Sequence, residues 1–217
     1  MLRGSVAFLL TVPLCLPLAA HRLDEYLQAT LISVTPDHVT LEVNLTPGVE
    51  VFERVAAPID TNHDGQLSAR EQDDYARRVM GDVALAVDGR PSELALIESR
   101  FPSLEDMRAG VGTIQLKLRA PAAAVTGAGG HQLIFRNRHQ NAASVYLMNA
   151  LVPLGRIEIL GQHRDNLQTE IRIDYRQRPV SGGGPGSGSS AWLVAGGLGF
   201  AALLGSLLQR RRPPPKT

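Results

Sequence analysis

Twelve consecutive residues, 60 to 71, carry the oxygen-rich side chains that a hard metal ion prefers. They read DTNHDGQLSARE, with a glycine at the sixth position and a glutamate at the twelfth. Every position matches the EF-hand pattern D-x-[DN]-x-[DN]-G-x5-E, in which oxygens at positions 1, 3, 5, 7, 9 and 12 surround Ca²⁺. Glu71 is expected to be bidentate and Ser68 to act directly or through a water. The predicted calcium ligands are Asp60, Asn62, Asp64, the carbonyl of Gln66, Ser68 and Glu71.

The same residues also fit two ordinary structural roles. Asp-Gly with polar neighbours is typical of a turn, and Ser68 followed by Glu71 is typical of a capping box at the start of a helix. Neither role excludes a metal, because the helix that leaves an EF-hand loop begins at this point. Neither role accounts for Asp60 and Asn62, so the complete pattern favours calcium. Mg²⁺ fits this large loop less well because it requires a tight octahedral cage.

The loop has no second copy in the sequence. VDGRP, which begins at residue 87, is predicted to be a hairpin turn. Pro58 shortens the helix that enters the loop. We therefore expect a low calcium affinity, although millimolar calcium outside the cytoplasm would still fill the site. A site of this kind is expected to stabilise the protein and not to act as a sensor.

His21 is a candidate for a second metal site. Cleavage after Ala20 would make it the first residue, so that its amine and imidazole would together chelate Cu²⁺ or Ni²⁺. The other five histidines are scattered without metal-ligand spacing, which favours ordinary surface residues. No P-loop, nucleophile elbow or H-E-x-x-H motif occurs. The protein is therefore predicted not to be an enzyme, and a hydrolase is the least favoured alternative.

The first twenty residues have the layout of a secretory signal peptide. Arg3 precedes an apolar run, which ends in the small residues Ala19 and Ala20. The alternative is an uncleaved anchor, but the run is short and contains two prolines. Cys15, the only cysteine, lies inside it, so a cleaved chain would have no thiol for disulfides or metal ligation.

The C-terminal residues have the layout of a membrane anchor. Residues 181–190 are a Gly/Ser linker, 191–208 are uncharged and long enough for a transmembrane helix, and 209–217 are a basic tail. Arg210 to Arg212 favour a cytoplasmic C-terminus, because positive charge stays on that side of a membrane. The main domain, 21–180, is therefore predicted to be periplasmic or otherwise extracytoplasmic, on a single-pass anchor in the cell membrane.

Charge and periodicity describe this main domain. It holds all 21 acidic residues but 17 of the 22 basic ones, a net charge near −4 that indicates no nucleic-acid partner. Strict alternation in HVTLEVNL, TIQLKL and TEIRIDY predicts strands with one buried face. Six further strands are predicted at 26–34, 83–87, 94–99, 132–137, 144–152 and 156–160.

Helical spacing interrupts this pattern between residues 46 and 82, where helix, loop and helix are predicted, and a short helix is predicted near 102. The fold is therefore predicted to be mainly β, an antiparallel, immunoglobulin-like sandwich with the EF-hand segment inserted and one C-terminal transmembrane helix. A small barrel is the main competitor.

Several segments resemble a known family. They are AHRLDEYLQATLISVTPDHVTLEVNLTPGVEV, the acidic loop, LAVDGRP, and FRNRHQNAASVYLMNALVP. They are similar to the extracytoplasmic domains found with bacterial nickel/cobalt efflux permeases and HupE/UreJ-type metal transporters. The resemblance implies a β-rich calcium-binding domain that serves a metal permease. It does not imply transport, because a single membrane pass replaces the permease bundle.

The resulting prediction is a calcium-binding accessory module on a membrane anchor. The alternative is a chaperone or sensor of nickel, cobalt or copper that serves a metal transporter through His21. The C-terminal segment also resembles the GlyGly-CTERM sorting tails that an intramembrane protease removes.

Overall fold

A computed structural model of the chain describes residues 24–122, 129–152 and 155–178. His21 and the predicted signal peptide, linker, membrane span and basic tail all lie outside these ranges. Within the described ranges, no helix combines the length and the apolar character needed to cross a bilayer. Strands predominate there, so the prediction of a mainly β fold is confirmed.

Ten strands are found in the described part of the chain. Their bounds are β1 (Tyr26–Val34), β2 (His38–Pro47), β3 (Val83–Val87), β4 (Arg90–Ser92), β5 (Ala95–Arg100), β6 (Ile114–Pro121), β7 (Gly130–Asn137), β8 (Ser144–Ala150), β9 (Ile157–Arg164) and β10 (Glu170–Gln177). They form two five-stranded sheets, with the orders β5-β6-β2-β1-β8 and β4-β3-β7-β10-β9.

Alternation along the strands produces the core. In β1 every second residue is buried, and β10 buries Ile171, Ile173 and Tyr175 while its other residues are more exposed. The buried side chains of both sheets belong to one hydrophobic cluster. Burying a Leu, Ile or Val side chain stabilises a fold by roughly 1.5–3 kcal/mol. Buried residues between β2 and β3, among them Phe52 and Tyr75, belong to the same cluster, so this shared core also supports the inserted segment.

One strand pair departs from the predicted antiparallel arrangement. Among the described strands, seven pairs are antiparallel, but β1 and β8 run parallel. The strand before β8 lies in the other sheet, so β8 enters the first sheet after a crossing and not through a hairpin with β1. The antiparallel prediction therefore does not hold for this pair.

Three α-helices accompany the sheets in the described residues: α1 (Phe52–Ala56), α2 (Ala69–Asp82) and α3 (Leu104–Arg108). Short 3-10 turns precede α1 at Val49–Val51 and β8 at Asn141–Ala143. The predicted order of helix, loop and helix between β2 and β3 is therefore present, and α3 confirms the short helix near 102. The entering helix, α1, has only five residues and ends just before Pro58.

Candidate metal site

The acidic loop lies between two helices of unequal length. It follows the short α1 and leads into the 14-residue α2, whose buried face packs on the core through Tyr75, Ala76 and Val79. Gly65 has φ +78°, in the left-handed region that glycine adopts without steric cost, so the sixth position makes the sharp bend that the sequence predicts. His63 also has positive φ and is exposed.

Asp60 begins the loop in a buried position. Its side chain is only 8% exposed. One carboxyl oxygen, Oδ2, accepts a hydrogen bond from the Gly65 backbone N–H at 3.1 Å. The other, Oδ1, is buried and has no hydrogen-bond partner within residues 24–122, 129–152 and 155–178. A buried acceptor without a partner costs about 1–3 kcal/mol, so this oxygen is suited to a ligand that would repay its lost hydration.

Asn62 and Asp64 wind the loop with their own side chains. Asn62 Oδ1 accepts from the Asp64 N–H at 3.0 Å, and Asp64 Oδ1 accepts from the Gln66 N–H at 2.8 Å. The Asn62 amide also donates to Asp64 Oδ2 at 2.9 Å. Such side-chain-to-backbone bonds two residues apart are typical of Asx turns, and here they bring the side chains of positions 3 and 5 into contact.

Glu71 closes the loop from the first turn of α2. Its Oε1 accepts from the Thr61 N–H at 2.8 Å and from the Thr61 hydroxyl at 3.0 Å, which joins the last loop position to the second. Its Oε2 accepts from the Ser68 hydroxyl at 2.7 Å and the Ser68 N–H at 3.0 Å. The bonds from Ser68, followed by those from Thr61, lower the pKa of Glu71 from 4.5 to about 2. The side chain is therefore a carboxylate at neutral pH.

Ser68 is the N-cap of α2 and forms the predicted capping box with Glu71. Its hydroxyl accepts from the Glu71 N–H, while the Glu71 side chain binds back to Ser68. The capping box at the start of a helix, one of the two ordinary roles predicted for these residues, is therefore present. A metal would require Glu71 to share or exchange these hydrogen bonds.

Four of the six predicted ligands are brought together, in two pairs. Asn62 contacts Asp64, Glu71 contacts Ser68, and Asp60 reaches across the bend to Gly65. In the described ranges, no three side chains among His, Cys, Asp and Glu converge as a metal site. Calcium binding by this loop would therefore involve a rearrangement of side chains within a backbone that is already wound.

Behind the loop, α2 is held by a buried polar chain that the sequence did not indicate. His139 is 1% exposed, so the prediction of an ordinary surface residue is wrong for this histidine. Its Nδ1 lies 2.8 Å from Asp82 Oδ2, and its Nε2 lies 2.9 Å from the Tyr75 hydroxyl. The Tyr75 hydroxyl in turn lies 2.8 Å from that of Tyr26.

The chemistry of the groups determines which atom donates in each hydrogen bond of this polar chain. A carboxylate only accepts, so His139 Nδ1–H donates to Asp82 and leaves Nε2 of the neutral ring as an acceptor for the Tyr75 hydroxyl. Burial lowers the pKa of His139, against the opposing effect of Asp82, which favours that neutral ring. Burial also raises the pKa of Tyr75 to about 12, so Tyr75 keeps its proton and donates. The sequence signal that could have indicated this chain is the tyrosine hydroxyl one helical turn after Glu71. Tyr75 also fits the apolar face of the helix, however, so its spacing alone does not indicate a polar role.

No known family model matches the chain, and no curated protein matches it. The resemblance to domains associated with nickel/cobalt permeases therefore stays a prediction.

Proposed function

We propose that the loop is a single EF-hand that binds one Ca²⁺ ion, with Asp60, Asn62, Asp64, the Gln66 carbonyl, Ser68 and Glu71 as its oxygen ligands. The observation that carries the proposal is the buried Oδ1 of Asp60, at the first position of the full pattern, which has no hydrogen-bond partner in the described part of the chain. Gly65 at positive φ supports it, because the bend occurs at the sixth position. The bound ion would supply the partner that this carboxyl oxygen lacks among the described residues.

The ion would act as a structural clamp and not as a catalyst. A shell completed by loop oxygens leaves no open position for a substrate, so the protein is proposed not to be an enzyme. The two sheets share one core, and we propose that they form an immunoglobulin-like sandwich. The calcium-bound loop would then hold α2 in place, together with the core residues that α2 contributes.

The wider setting combines this domain with the ends of the sequence. We propose an extracytoplasmic accessory module on a single membrane pass, with a metal permease as its partner, on the grounds of the signal-like start, the apolar segment 191–208 and the resemblance. The alternative, a nickel, cobalt or copper chaperone, rests on His21, which lies outside the described residues. The calcium proposal is preferred because a described side chain supports it.

Thermal unfolding of the full chain in detergent, with calcium and with a chelator, tests this function. A ligand that binds only the native state adds about 2.7 kcal/mol at a hundredfold excess over Kd. For a domain of this size that corresponds to a rise in Tm of roughly 5–10 °C. The isosteric changes Asp60→Asn and Glu71→Gln should each remove most of the rise.

Asp73→Asn is the matched control, since Asp73 is an exposed carboxylate two residues beyond the loop on the same helix. It should keep the full calcium response. An equal Tm with calcium and chelator in the unmodified chain would refute the proposal. A stoichiometric transition metal after purification, lost when one residue is inserted before His21, would favour the alternative.

A further inference from the structure

One face of α2 carries both a predicted calcium ligand and two residues of the buried polar chain. Glu71, Tyr75 and Asp82 stand at positions i, i+4 and i+11, within about 40° of one another around a helix of 3.6 residues per turn. Glu71 is 6% exposed and Tyr75 is 1% exposed. A shift of the helix at Tyr75 therefore moves Glu71 as well, because they are one turn apart on a rigid element.

Tyr75 and Asp82 both bind the ring of His139, so α2 is held at two points by one side chain. The two bonds are of different kinds. One is made deep in the core to a hydroxyl, and the other is made to a half-exposed carboxylate at the end of the helix. Together they fix both the position of α2 along its axis and its rotation.

His139 is itself fixed to both sheets. Its carbonyl accepts from Gln28 Nε2 at 2.7 Å and from the Tyr146 hydroxyl at 2.8 Å, and its N–H donates to Asn137 Oδ1 at 2.9 Å. Gln28 lies in β1, Asn137 in β7 and Tyr146 in β8. The histidine is therefore a rigid reference point, and α2 is positioned against it.

At the loop end of the same helix, Glu71 already lies against Thr61, beside the first ligand position. Binding calcium would then require the carboxylate to exchange hydrogen bonds but not the helix to be ordered. Holding a binding group in place beforehand strengthens binding because less freedom is lost on association.

We propose that Tyr75 and His139 are positioning residues for the calcium loop: their buried hydrogen bond holds α2 where Glu71 can reach the ion, so calcium affinity is set partly from the far side of the helix. The inference rests on the proposed calcium site. It assigns no ligand role to either residue.

The test is Tyr75→Phe in the full chain in detergent, with calcium affinity measured by calorimetry well below the melting temperature. This change removes one hydroxyl and keeps the ring. We expect the affinity to fall about fivefold or more, at the lower end of measured couplings between sites. Tyr175→Phe is the matched control, because the Tyr175 hydroxyl is also buried but has no hydrogen-bond partner among the residues that the structure describes. Its calcium affinity should stay within about twofold.

Two further measurements separate positioning from general weakening of the core. Without calcium, amide hydrogens of residues 69–82 should exchange faster in Tyr75→Phe than in Tyr175→Phe. In the unmodified chain, the His139 ring ¹⁵N resonances should shift when calcium is added, and this shift should be lost in Tyr75→Phe. A purely structural tyrosine would not make that resonance respond to calcium.

The possible results are distinct. No calcium binding by the unmodified chain overturns the proposed function and this inference together. Binding that is unchanged in Tyr75→Phe, or weakened equally in Tyr175→Phe, overturns the positioning role alone. If Tyr75→Phe does not fold, Asp82→Asn takes its place. This change weakens the other hydrogen bond between α2 and His139, at a side chain that is half-exposed. A calcium affinity unaltered by that change would likewise overturn the inference.

Discussion

Asp60 and His139 are both buried polar residues, but their surroundings differ. Asp60 Oδ1 has no partner among the described residues, whereas each polar atom of His139 has one. Unpaired buried groups usually mark a ligand or a strained site, and fully paired networks usually make one conformation rigid. The first residue is therefore a candidate for recognition and the second for positioning.

The pKa of His139 leads to a pH dependence of stability. Burial lowers this pKa below the ordinary 6.5, so in acid the unfolded chain takes up the proton before the folded one does. The stability that the neutral ring contributes is complete above about pH 6.5 and is lost as the pH falls through the folded pKa. We expect the urea unfolding free energy, measured in chelator, to decrease as the pH falls from about 6.5 to 5.5, by at most about 1.4 kcal/mol per pH unit.

Two histidine variants check the origin of this slope. His139→Gln should flatten it, although the variant will be less stable throughout. His163→Gln, at a side chain that is 64% exposed, should leave it as it is. A slope that persists in His139→Gln would assign the effect to other groups.

At the scale of elements, α2 depends on its first turn. Ser68 accepts from Glu71 N–H and so satisfies one of the N–H groups that a helix start leaves free. Ser68→Ala should therefore lower the unfolding free energy by about 1 kcal/mol in urea titrations with chelator present. Arg70→Ala, which removes an exposed ion pair with Asp74, should cost less than about 0.5 kcal/mol. Equal losses would show that the cap contributes little.

Local patterns predicted most of the elements. The strands predicted at 26–34 and 83–87 have the observed bounds of β1 and β3. The alternating segment HVTLEVNL lies within β2, because a strand with one buried face carries its signal in its own residues. Strand β4 was missed, since Arg90–Ser92 is too short to show any period. The hairpin before it was expected, and Asp88 and Gly89 have the positive φ of such a turn.

Contacts between distant residues could not be read in the same way. The parallel pairing of β1 with β8 and the chain from Tyr26 to His139 join segments more than a hundred residues apart. For the loop, residue types and spacing predicted the ligand set. They also predicted the capping box between Ser68 and Glu71. They did not predict that Glu71 would bind Thr61, because that depends on how the side chains settle within the loop.

At the scale of the whole molecule, long-range pairing should make folding slow. Half of the strand pairs among the described residues, β1–β8, β2–β6, β3–β7 and β7–β10, join segments far apart in sequence. Chains rich in such contacts fold in milliseconds to seconds, not microseconds. Stopped-flow refolding from urea should therefore show its main phase in that range. If the loop closes after the rate-limiting step, calcium should slow unfolding more than it changes the refolding rate. A microsecond main phase would contradict this expectation.

The parallel pair also has a consequence for the chain while it is being made. Strand β1 is internal to its sheet, yet its partner Ser144 follows Tyr26 by 118 residues. Until β8 arrives, one side of β1 presents unpaired N–H and C=O groups, an open template onto which another nascent copy can add a strand. The interval between synthesis of β1 and of β8 is thus the period of greatest risk of self-association, and a holdase that covers the β1 edge during that interval would improve the yield of folded protein.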